Sequence, residues 1–278
     1  MLRKLTLGSA TLLVFFLFSP STAKAGSFTI FSTGQDGTKL LTINSQTGVA
    51  TVVGSLGISG AVGLTFSPNG TLYTVANSYP PGSSNTVLEQ LATVNPLTGQ
   101  ATLIGSPFLF RVGIMPMVVS SSGTIFAAGT STGSLANTLL TIDPVTGQPT
   151  SVGAFGVLGM MDFAYDPNGA LFGATTTKLY RINTSTGSAT LVTSFSGVTG
   201  VMGITFDAAG NLFATNFNTT SSLYSVDRTT GAATLIGQTG VSDVHSADVQ
   251  PASEPGTLVL FGSGLVGVVS ALRRKWLR

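Results

Sequence analysis

The sequence predicts an all-β fold, a five-bladed β-propeller with four-stranded antiparallel blades. Three observations predict it. A turn of the form Asx-x-x-Thr-Gly recurs five times, a second hairpin alternates with it, and the two ends of the repeating region supply complementary parts of one unit. The copies of the first turn are Asn44–Gly48, Asn95–Gly99, Asp143–Gly147, Asn183–Gly187 and Asp227–Gly231. The Asx side chain can accept a bond from a backbone N–H two residues on and so start the turn. The glycine supplies the positive φ that closes a short hairpin. A strand precedes each copy, as Leu40–Ile43 and Leu223–Val226 do, and another follows, as Ala101–Ile104 and Ala233–Ile236 do.

The second hairpin is clearest in Gly63–Tyr73, Asp162–Phe172 and Gly203–Phe213, with a degenerate copy ending at Ser122–Phe126. Strands are short, turn signals frequent and no helical period appears. Successive Thr-Gly pairs lie 51, 48, 40 and 44 residues apart. Repeats of that length with four strands each indicate propeller blades. Ser27–Phe31 matches the strand after the Pro-Asn-Gly turn, and Val244–Val249 the strand before it. Three strands from the start and one from the end therefore complete a single blade, which closes the ring and removes the edges an open array would expose.

Composition narrows the chemistry. Cysteine is absent, which removes disulfides, thiol nucleophiles and thiolate metal sites. Between Gly26 and Gln250 there are five bases and nine acids, and the remaining bases lie in the end segments. A mildly acidic body with scattered bases offers no phosphate-tracking stripe, so nucleic acid is excluded as a partner. One histidine and no cysteine leave no common zinc or iron site, and no cofactor or metal is expected. No Gly-x-x-x-x-Gly-Lys-Ser/Thr phosphate loop occurs.

The two ends read as addresses. Arg3 and Lys4 precede an apolar run from Leu12 to Phe18 and a small-x-small pair, Ala23 and Ala25. That is the pattern of a secretory signal peptide, residues 1–25, cut after Ala25. At the other end Thr257–Leu272 carries no charge and would span about 24 Å as a helix. Arg273, Arg274 and Lys275 follow at once, which keeps that side cytoplasmic and the body outside. The expected organisation is thus signal peptide 1–25, repeat body 26–250 and tail 251–278.

The tail resembles the PEP-CTERM sorting signal of Gram-negative bacteria. Glu254-Pro255, the glycine-containing apolar stretch and Arg273-Arg274-Lys275 occur in the order of that family, with Ser253 where its first proline stands. The resemblance covers about the last 27 residues. It implies an exosortase-type membrane processing enzyme as partner and anchoring in the membrane through the C-terminal helix. It further implies release to the outer surface or matrix, often in exopolysaccharide-producing organisms.

Two faces of the disc differ. The Thr-Gly and Asn-Gly turns share one face, short and uniform; the connections Asn77–Asn85, Gly105–Arg111 and Gly129–Asn137 lie on the other and vary. Variation on a rigid scaffold favours that second face for binding. Near the axis come Arg111, Asp162, Asp243 and His245, together with every methionine but Met1. One reading is a central ligand pocket with these polar contacts; the other is that methionine fills an irregular axis and His245 is structural. Asp162 stands where the repeat has Gly63 and Gly203, so it is the first residue to test.

The leading reading is a non-enzymatic surface or matrix propeller that binds exopolysaccharide or a surface protein, or serves as a coat component. The alternative is a carbohydrate-active enzyme using Asp162, Asp243 and Asp248, since glycoside hydrolysis needs two carboxylates about 5–9.5 Å apart.

Overall fold

The computed structural model describes residues 27–78, 87–110, 116–129 and 137–251. The expected signal helix, the expected transmembrane helix and the sorting residues Glu254, Pro255, Arg273, Arg274 and Lys275 lie outside that set, as do Ala23, Ala25 and Arg111. Among the described residues every element is a strand, and no helix is long and apolar enough to cross a membrane.

In chain order, β1 (Thr29–Gly34), β2 (Lys39–Asn44) and β3 (Ala50–Ser55) open the ring. The second blade is β4 (Leu64–Phe66), β5 (Leu72–Ser78), β6 (Val87–Val94) and β7 (Ala101–Leu103). One further strand, β8 (Phe108–Phe110), pairs with the far end of β6. The third is β9 (Met117–Val119), β10 (Ile125–Gly129), β11 (Thr138–Ile142) and β12 (Pro149–Ala154). The fourth is β13 (Asp162–Tyr165), β14 (Leu171–Ala174), β15 (Lys178–Ile182) and β16 (Ala189–Ser194). The fifth is β17 (Val201–Phe206), β18 (Leu212–Asn216), β19 (Ser222–Val226) and β20 (Ala233–Gln238). Finally β21 (His245–Val249) returns to the start and pairs antiparallel with β1, Ile30 opposite Val249 and Phe31 opposite Asp248. The first blade thus has the order β21-β1-β2-β3, and the ring is closed as the repeat pattern predicts.

Local chemistry makes the hairpins. Asn44 Oδ1 accepts from Gln46 N at 2.9 Å and Thr47 N at 3.1 Å, while Gly48, at φ 73°, donates its N–H to the Asn44 carbonyl. The same bonds recur at Asn95, Asp143, Asn183 and Asp227. The second hairpin uses a different acceptor position: Asp166 Oδ1 takes Asn168 N and Ala170 N, and Asp207 Oδ1 takes Ala209 N and Asn211 N. Phe108–Phe110, read from sequence as part of a variable connection, is instead strand β8, because the long β6 leaves edge positions beyond β7 that a passing apolar segment can pair with.

Apolar burial is distributed between blades. Five buried clusters occupy the five blade–blade interfaces. Phe31, Leu56 and Phe66 pack between the first two blades, and Ile30, Leu41 and Leu223 between the last and the first. Phe155 and Phe163, with rings 5.9 Å apart and near edge-on, join the third and fourth. At the rim, a glycine in or just beyond one outer strand meets the Thr-Gly turn of the next blade. A Cβ on Gly54, Gly105, Gly153 or Gly237 would lie within 2.1 Å of the carbonyl oxygen of Thr98, Thr146, Thr186 or Thr47 respectively.

Candidate functional site at the ring axis

Strands β4, β9, β13, β17 and β21 line the axis. Each pairs with a neighbour on one side only, so its other edge points inward with N–H groups that need acceptors. Side chains from neighbouring blades supply them. Thr65 Oγ1 accepts from Val119 N at 3.2 Å. Asp248 Oδ2 accepts from Phe66 N at 2.7 Å, and its Oδ1 from Val249 N at 2.8 Å. Asp162 Oδ2 takes two, Ile204 N at 2.8 Å and Ala247 N at 3.1 Å, and so joins three blades through one oxygen.

Asp162 is 1% exposed. Burial drives its carboxyl well above the usual range, against the pull of those N–H groups and with a further push from the neighbouring Asp248 charge. Asp248 is pushed up to about 6, mainly by burial, with the Phe66 and Val249 N–H groups opposing. The departure from the repeat glycine has a steric counterpart: a Cβ on Gly203 would lie 2.7 Å from the Ser246 backbone, so the ring has room for a side chain at this level on β13 but not on β17.

Asp243 and His245 lie together at the start of β21, on the face of the variable connections. Asp243 adopts φ 53° before β21. His245 is buried, its ring 5.2 Å from that of Phe217. Burial lowers its pKa, and the charges of Asp243 and Asp36 oppose that shift. Its Nδ1 has no hydrogen-bond partner among the described residues. The methionines divide: Met117 and Met160 are core residues of two blade interfaces, Met202 is buried on β17, Met161 is half-buried, and Met115 lies outside the described residues. Among the described residues no three His, Asp or Glu side chains converge on a metal position.

The axis opens on the turn face in a well of about 310 Å³. Thr65, Val118, Ala164, Thr205 and Asp248 hold equivalent places in it, with the aromatic rings of Phe66, Tyr165 and Phe206 beside them. Burial pushes the Tyr165 phenol up to about 12. One carboxyl and the hydroxyls of Thr65, Ser121, Tyr165 and Thr205 in a largely apolar well suit a small ligand with hydroxyls and an apolar flank. A wider, mostly apolar groove of about 700 Å³ adjoins it, formed by Phe28, Tyr165, Pro167, Phe206, Ala208 and Pro251 together with Asp166 and Asp207. The sequence offers Asp248 as a candidate carboxylate but does not announce this well. The signal for it was Asp248 standing where the repeat has Thr65 and Thr205.

Comparison with known proteins adds the following. The family described as the PEP-CTERM protein-sorting motif matches residues 251–275. A protein of unknown function from Bacteroides thetaiotaomicron has a similar structure at TM-score 0.50 and 12% identity, over 82% of this chain and 62% of its own. Further similarities, at TM-scores of 0.48 and 0.43, are to a chain of a nidogen/laminin complex and to a putative 6-phosphogluconolactonase from Bacteroides uniformis. The first is 10% identical and covers 81% of this chain and 98% of its own; the second is 16% identical and covers 77% and 83%. At these identities the likeness concerns the fold alone. No curated protein matches the chain.

Proposed function

Starting from a chain that joins a five-bladed β-propeller to a PEP-CTERM protein-sorting motif, we propose an exported surface or matrix protein whose ring binds glycan or protein without catalysis. The motif implies export and transient membrane anchoring, with processing by an exosortase-type enzyme. In this reading residues 1–25 are the signal peptide, Thr257–Leu272 spans the inner membrane, Arg273–Lys275 stays inside, and processing at Glu254-Pro255 passes residues 26–250 to the outer surface.

The observation that supports binding over hydrolysis is the engagement of the axial acids. A hydrolase needs one carboxyl free to move a proton and a second aimed at the sugar. Here Asp162 and Asp248 each spend Oδ2 on backbone N–H groups of neighbouring blades. The variable face carries Asp243 and His245 and the strand ends at Ser78 and Gly129, and is the surface proposed for recognition.

The test combines location and binding. The full chain should reach the surface fraction, and removal of residues 252–278 should leave it in the periplasm. The surface form applied to a glycan array and to matrix extracts should retain a defined ligand class. Polysaccharide cleavage by the purified protein, lost in Asp162→Asn, would replace this proposal with the carbohydrate-active reading.

A further inference from the structure

We infer that the turn face of the ring is apposed to the lipid surface while the protein is anchored, so that the axial well is screened from large partners until the tail is released. The inference rests on the membrane-spanning tail proposed above. Its geometry comes from where the chain enters and leaves the ring.

β21 runs toward the turn face and ends at Val249, and Pro251 forms part of the wall of both the well and the groove. Phe28 lies in the same groove, so the chain also enters on this face. Between Pro251 and the uncharged stretch that starts at Thr257 there are only the residues Ala252–Gly256. Fully extended they reach at most about 18 Å.

The exit lies near the axis, because β21 is the innermost strand of its blade. Three strand spacings of about 4.8 Å place the outermost strand roughly 14 Å further out, before its side chains are added. A tether of about 18 Å that starts near the centre of one face cannot pass round the rim to bring the other face to the membrane. The turn face is therefore held against the bilayer, and the well, beside the exit, lies underneath it.

Surface chemistry does not make this choice. Leu97 and Val145, at the tips of two Thr-Gly turns, are 86% and 79% exposed, but Leu158 and Phe217 are exposed on the other face. The turn face also carries Asp143, Asp166, Asp207 and Asp227 against Arg228, which gives no attraction to anionic lipid. The tether alone does it, so the apposition is expected to be insensitive to salt.

The chain has no cysteine, so single cysteines report cleanly. Ser121→Cys places one beside the well on the turn face, and Leu158→Cys one on the opposite face. Each full-length variant is inserted into phosphatidylcholine vesicles and treated with a small maleimide or with a polymer-linked, impermeant one. The outward-facing fraction is fixed from the Leu158→Cys end point. The expected result is several-fold slower labelling of Ser121→Cys by the polymer reagent only. Insertion of about twenty Gly/Ser residues after Pro251, an r.m.s. reach of roughly 25 Å, should restore the rate. Equal rates at both positions, with the chain still held by the vesicles after an alkaline wash, would overturn the apposition and leave the sorting proposal standing. A chain removed by that wash would overturn both.

Discussion

Truncation of Asp162 tests whether the axis is held by side chains or only by blade packing. In Asp162→Ala the N–H groups of Ile204 and Ala247 lose their acceptor inside the ring. Each buried donor left unpaired costs about 1–3 kcal/mol, so the gross loss is about 2–6 kcal/mol. Part is returned, because burial of the carboxyl is itself unfavourable, as its raised pKa records. The expected net loss is about 2–4 kcal/mol, or a Tm drop of roughly 5–15 °C for a domain of this size. Asp162→Asn keeps an oxygen at the same place and should lose only about 1 kcal/mol. Urea titrations followed by far-UV circular dichroism suit the measurement, since Trp276, the one tryptophan, lies in the tail. The reasoning is refuted if Asp162→Ala is as stable as the parent. It is equally refuted if Asp162→Asn is as damaging as Asp162→Ala, because then the acceptor is not what matters.

Three further outcomes are expected. Asp248 holds its proton more tightly when folded than when unfolded, so the stability it contributes is fully present below about pH 4 and is lost as pH rises to about 6. Asp248→Asn should remove that slope from the difference between variant and parent urea midpoints, and a parent that gains stability relative to the variant across this window would contradict it. Gly153→Ala drives a methyl into the Thr186 carbonyl and should cost about 1–3 kcal/mol, whereas Gly169→Ala, with open space around it and only its φ of 75° to oppose it, should cost about 1 kcal/mol. Equal costs in thermal melts would show that the rim contacts yield freely. Deletion of Ser27–Phe31 removes the half of β1 that holds Ile30 and Phe31 against β21, and should abolish the single cooperative transition; an unchanged melt would mean the ring does not depend on its closure.

The hairpins were legible because their chemistry is local. Asn44 and Gly48, or Asp166 and Gly169, are within five residues of each other, and their types alone specify the turn. Closure was legible because the ends carry recognisable parts of one repeat. What was hidden depends on residues far apart in the chain. Asp162 stood out in the repeat, but its partners are 42 and 85 positions away and became visible only when the blades were set round an axis. The glycines at 54, 153 and 237 recur at one place in the outer strand, with Gly105 just past the end of β7, yet their cause is the turn of the next blade. The well on the turn face arises from five strands meeting, and no single strand announces it. β8 was missed because nothing in Phe108–Phe110 tells that β6 has unpaired length to spare.

The pairing of β1 with β21 also orders events in time. Ile30 and Val249 are 219 positions apart, so joining them closes a loop whose entropic cost is about 5 kcal/mol from its length alone. The first strand to cross a membrane must therefore wait for the last, while the intervening hairpins assemble from neighbours. Its edge toward β21 stays open until the last strand arrives, and an export chaperone that covers Thr29–Gly34 would shield it in the interval.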